Sequence, residues 1–113
     1  MKIAVRFLGL PPSPALREHS ERQALFHLSR FGHDLNSVEI RIRDVNGPRG
    51  GEDMECKVSA KGRRLGFASI VDLSGDAYAS VGMALSRLSR SIARVLDRTR
   101  GMRSLGPAHR LVH

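Results

Sequence analysis

Apolar and polar residues alternate with a period of two in several stretches of this chain and recur every three or four residues in two others. Residues 2–8 place Ile3, Val5 and Phe7 on one side and Lys2, Ala4 and Arg6 on the other, a strand pattern. Pro11-Pro12-Ser13-Pro14 follows as a rigid joint, in which Ser13 suits a helix N-cap and Pro14 the first helical position, where no N–H is needed. The spacing predicts a helix to about residue 31, with Leu16, Ala24, Leu28 and Phe31 on one side. Gly32 is expected as the left-handed residue after its end.

Val38, Ile40 and Ile42 then alternate with Glu39, Arg41 and Arg43, as in a half-buried strand. Asn46-Gly47-Pro48-Arg49-Gly50-Gly51 is the strongest turn signal and predicts a flexible hairpin loop. Met54, Cys56, Val58 and Ala60 alternate with Glu55, Lys57, Ser59 and Lys61, and a turn at Lys61-Gly62-Arg63-Arg64 leads to a further strand over 65–71. These three segments read as an antiparallel meander with one wet face. Asp76 fits an N-cap after Gly75. A helix over about 77–100 carries one apolar stripe of Tyr78, Val81, Leu85, Leu88, Ile92 and Val95/Leu96. The sequence has no internal repeat.

Burying every stripe at once requires both helices on one face of a four-stranded sheet. The expected class is α+β, a two-layer sandwich in the order β-α-β-β-β-α. At 113 residues the chain suits one domain. Its expected extent is 1–101, with 102–113 a flexible basic tail where the periodicity is lost.

Charge sharpens the picture. The chain has a net charge of +8 and a pI near 11.2, which favours polyanionic partners and nucleic acid first among them. With no Trp, one Tyr and four Phe, a module that stacks bases on several rings is disfavoured, and phosphate contact is the expected mode. Arg87, Arg90, Arg94 and Arg98 follow spacings of three, four and four, a narrow arc opposite the apolar stripe of the last helix. An ordinary solvated face mixes both signs; on this helix Asp97 is the only acid from Arg87 onward. Guanidinium groups in such a row present paired donors to phosphate oxygens. The first helix adds Arg22 and Arg30 as candidate RNA contacts, and Arg17 as a further cation, but also carries Glu18 and Glu21. Phe26 falls away from its core side and reads as an ordinary exposed ring. Arg41, Arg43, Lys57 and Lys61 read as an ordinary solvated sheet face.

Other chemistry is sparse. Cys56 is the only cysteine, so no intrachain disulfide forms and a cytoplasmic setting is the default; it reads as a small core residue. The five histidines stand in no zinc spacing with it. Gly47 to Gly51 joins two strands instead of opening a helix, unlike a phosphate loop. No catalytic residue, metal ligand, cofactor or small-molecule substrate is expected, and the chain reads as no enzyme. No apolar run approaches the ~20 residues of a membrane span. Arg6 and Pro11-Pro12 break the N-terminal stretch that Lys2 would open as a signal peptide.

Asp76-Ala77-Tyr78-Ala79-Ser80-Val81, continuing through Arg87-Leu88-Ser89-Arg90-Ser91-Ile92-Ala93-Arg94, resembles the second helix of the ribosome hibernation promoting factor family, which includes the ribosome-associated translation inhibitors. Ala15-Leu16-Arg17-Glu18 matches the opening of that family's first helix, and the order of elements agrees over roughly 1–100. The resemblance implies a stress-response factor in the messenger and transfer RNA channel of the small ribosomal subunit, held on ribosomal RNA by basic residues of the two helices. On it, Arg87, Arg90 and Arg94 are RNA contacts with Arg98 next along the face, Tyr78 packs at the helix start and Asp76 caps it. Gly82 and Ser86 stand where family members often carry acids, and the joint before the helix reads as longer. With no pairing domain after it, the chain resembles a short form. A double-stranded RNA-binding module and a protein-interaction domain with a basic face are the alternatives. Oligomeric state is not legible.

Overall fold

The computed structural model describes residues 1–45 and 53–109, with side chains as far as 98. The turn expected at Gly47–Gly51 lies outside the described residues. Strand β1 (Lys2–Leu8) leads through the proline joint into helix α1 (Pro14–Leu28), a 3-10 turn (Ser29–Phe31), strands β2 (Ser37–Asp44), β3 (Met54–Gly62) and β4 (Gly66–Ser74), and helix α2 (Ala77–His109). The sheet order is β1-β2-β3-β4. β1 runs parallel to β2, and the other pairs are antiparallel. The parallel pair follows from the helix between them, since a crossover returns the chain to the same end of the sheet. The expected α+β architecture is the observed one.

The inward faces of the strands and one side of each helix form a single core. Val38, Ile40, Ile42 and Val58 are fully or almost fully buried, as are Leu85, Leu88 and Ile92 of α2. The α1 side of the core is thin: Leu16, Ser20, Ala24 and Leu28 recur every four residues. Small residues there let α1 lie close to α2, and Ser20 is wholly buried with its Oγ unpartnered among the described residues.

Ser13 caps α1 as expected, accepting from the Leu16 N–H at 3.2 Å with Pro14 in the first turn. Its other end differs from expectation. α1 stops at Leu28, the chain tightens into the 3-10 turn, and Gly32 has φ −52° and no left-handed twist. The Ser29 N–H bonds the Leu25 carbonyl, the Gly32 N–H that of Ser29 and the Asp34 N–H that of Phe31, so the chain leaves the helix through successive turns without a left-handed residue.

One further expectation is corrected at α2. β4 extends to Ser74, which leaves only Gly75 and Asp76 as the joint, shorter than expected. At the other end the helical backbone passes Gly101 and reaches His109.

Candidate nucleic-acid interface

The cap that starts α2 is local. Asp76 Oδ1 accepts the Tyr78 N–H at 3.0 Å, and its carbonyl accepts the Ser80 N–H. Tyr78 is not part of the apolar stripe, however. It is 42% exposed and stands edge-on to His19, ring centroids 4.9 Å apart, joining α2 to α1. From Val81 to Leu96 the apolar stripe lies on the sheet, with Val81, Ala84, Leu85, Leu88, Ile92 and Leu96 buried. Helical geometry then fixes the opposite side: Arg87, Arg90, Arg94 and Arg98 are all exposed.

These four are not equivalent. Arg87 Nη1 donates to the Val71 carbonyl at 3.3 Å and lies 3.6 Å from Asp72 Oδ1. Asp72 is held in turn by Ser80, whose Oγ donates to Asp72 Oδ2 at 3.0 Å. Arg87 therefore latches α2 to the edge strand while remaining near the surface. Among the described residues, no ion pair engages Arg90, Arg94 or Arg98. They form a row about 12 Å long at 1.5 Å rise per residue.

The α1 candidates separate as well. Arg30 Nη2 donates to Ser89 Oγ at 3.1 Å and its guanidinium sits 4.5 Å from the Phe31 ring centroid, which brings it to α2 beside Arg90 in sequence. Arg22 pairs with Glu18 at 2.7 Å one turn back and is exposed. Of the six candidates, three are uncommitted and three already have protein partners.

Sequence reasoning counted Arg17 only as a further cation; it bonds the Val5 carbonyl at 3.1 Å and covers the Phe7 ring. Nor did that reasoning pair Arg64 with Asp34, 3.3 Å apart. Both are links between segments distant in the chain, for which local spacing holds no signal. Phe26 is 78% exposed, as expected. Cys56 is buried in the core as expected, and burial first, then the charges of Asp72 and Glu55, pushes its thiol up to about 12. Burial alone holds His27 below the ordinary imidazole value. Among the described residues no cluster of three metal-ligating side chains occurs, and no helix is long and apolar enough to cross a membrane.

The class these features define is a two-layer α+β domain with a cationic helix face. No protein-family model matches the chain, and no curated protein matches it. Solved structures do. A ribosomal subunit interface protein from Coxiella burnetii is similar with a TM-score of 0.69 and 18% identity, covering 83% of this chain and 96% of that one. The N-terminal domain of Protein Y from Thermus thermophilus is similar with a TM-score of 0.68 and 19% identity, covering 83% and 98%. The chain thus shares the fold of the ribosome hibernation factor family that its α2 motif resembles.

Proposed function

We propose that this chain is a cytoplasmic, ribosome-associated factor that binds small-subunit ribosomal RNA in the messenger and transfer RNA channel and keeps idle ribosomes from translating. It acts by occupancy, with no chemical step. The observation that carries this reading is the outward row of Arg90, Arg94 and Arg98, without a carboxylate partner among the described residues, on a fold shared with a ribosomal subunit interface protein. Arg–phosphate contacts are sequence-independent and release counterions, so they suit a site defined by the shape of folded RNA. Arg30 adds a fourth cation near the middle of α2.

The duplex-binding alternative is disfavoured by β1, a strand before the first helix that such modules usually lack. The test is co-sedimentation with purified small subunits at rising salt. Log affinity should fall steeply with log salt, and Arg90→Glu/Arg94→Glu should abolish co-sedimentation and restore translation in a cell-free extract. Binding that hardly changes with salt, or that prefers any RNA duplex to the subunit, would overturn the proposal.

A further inference from the structure

The second face of the sheet carries its own chemistry. Both helices pack on the inward side, and among the described residues no element covers the other. The strand registers set Lys2, Ser37, Lys61 and Phe67 in one cross-sheet row and Arg6, Arg41, Lys57 and Val71 in another. With Arg43, the strands place six cationic side chains on this face against two carboxylates, Glu39 and Glu55. Both carboxylates are already committed. Glu39 bridges Arg6 at 2.7 Å and Arg41 at 3.1 Å, and Glu55 meets Arg43 at 3.3 Å. Among the described residues, no ion pair engages Lys2, Lys57 or Lys61. They line an open trough of about 580 Å³ whose floor includes Ser37 and Ser59. Phe67, 58% exposed, stands beside Lys61 at its rim.

We propose that this trough binds single-stranded RNA, making the sheet a second RNA surface on the opposite side of the domain from α2. Ammonium and hydroxyl donors suit phosphate oxygens, and the adjacent flat ring suits a base. Lys57 and Lys61, four residues apart on one strand face, lie roughly 13 Å apart, enough to engage more than one phosphate. An acidic peptide added along β4 fits less well, because Arg87 already occupies the Val71 carbonyl of that strand. The inference does not depend on the ribosomal reading of α2. It gives the domain two faces and so the means to hold two RNA segments at once.

The test is fluorescence anisotropy of the full chain with a labelled single-stranded oligouridylate, on the parent protein, Lys57→Ala/Lys61→Ala, Phe67→Ala and Arg90→Glu/Arg94→Glu. Circular dichroism melts check that each variant folds; all the altered side chains lie at the surface or on its outer face. The lysine pair should lower affinity about tenfold and reduce the salt slope by roughly 1.4, at ~0.7 per single-strand phosphate. Phe67→Ala should lower it about tenfold with the slope unchanged, as loss of one stacked base predicts. The α2 variant should retain most oligouridylate binding while losing small subunits, so failure of either surface is read separately. Oligouridylate affinity unmoved by the lysine and Phe67 variants would overturn the proposal. So would polyglutamate competing as well as RNA, which would make the trough a site for acidic protein.

Discussion

Gly62 lies directly against the backbone of Asp34: a Cβ at position 62 would collide with the Asp34 carbonyl oxygen and crowd the Leu35 Cα. The contact seats the β3–β4 turn on the segment that enters β2, and the Asn36 N–H bonds the Lys61 carbonyl beside it at 2.7 Å. The Arg64–Asp34 ion pair closes the same corner. Backbone cannot yield as a side-chain end can, so Gly62→Ala should destabilise the fold by about 2–3 kcal/mol. Gly66→Ala, at φ +78° but in open space, should lose only about 1 kcal/mol. Urea denaturation of the two variants measures the difference; equal losses would show that the corner opens freely.

The opposite sign is expected at Ser20. Its hydroxyl is fully buried between α1 and the core and finds no partner among the described residues. An unpaired buried hydroxyl opposes folding by about 1–3 kcal/mol. Ser20→Ala removes it with almost no loss of volume and should stabilise by roughly 1 kcal/mol. A thermal melt should show a rise of several degrees; a lower midpoint would reveal a bond to the hydroxyl.

Arg87 and Arg94 share a stripe but should answer differently to mutation. Arg87→Ala severs the contacts to Val71 and Asp72 and should lower stability by about 0.5–1 kcal/mol, the range of a partly exposed pair. Among the described residues Arg94 has no such contact to lose, and Arg94→Ala relieves repulsion between like charges along the helix. Its stability should hold or rise slightly, while the salt slope for structured RNA drops by roughly 0.9. Paired urea titrations and salt-dependent binding separate the two roles. Identical behaviour of both variants would contradict the latch.

Much of this was readable from the chain alone because its signals are local. The alternation in β1, β2 and β3 and the stripe of α2 each lie within one element, and Ser13 and Asp76 cap helices within three residues of themselves. What escaped depends on distant neighbours. Nothing near Arg87 in sequence announces Asp72. Tyr78 illustrates the same limit: its spacing puts it on the stripe, but the stripe outruns the sheet at that end and the ring meets His19 instead. The pairing of charges on the sheet's outer face is hidden for a related reason. Each strand alone shows a few mixed charges; only the register reveals that Glu39 and Glu55 are already occupied and that three lysines remain.

Cys56 supplies a test in alkaline solution. Its thiol ionises near 9.0 when the chain is unfolded and is pushed up to about 12 in the core. The folded state therefore keeps its proton where the unfolded state releases one. Below about pH 9 both forms hold the proton and the thiol adds no pH dependence. Between about 9 and 12 the unfolded chain binds fewer protons, so stability falls as pH rises. The comparison that isolates the thiol is with Cys56→Ala. That variant is less stable at neutral pH for want of core volume, and the gap between the two proteins should narrow steadily above pH 9. Urea midpoints at stepped pH measure it, with thiol-alkylation rates as a second readout: modification should be slow in the native protein and prompt after unfolding. A gap that stays constant to pH 11 would mean that Cys56 ionises in place, and that the core beneath β3 admits water.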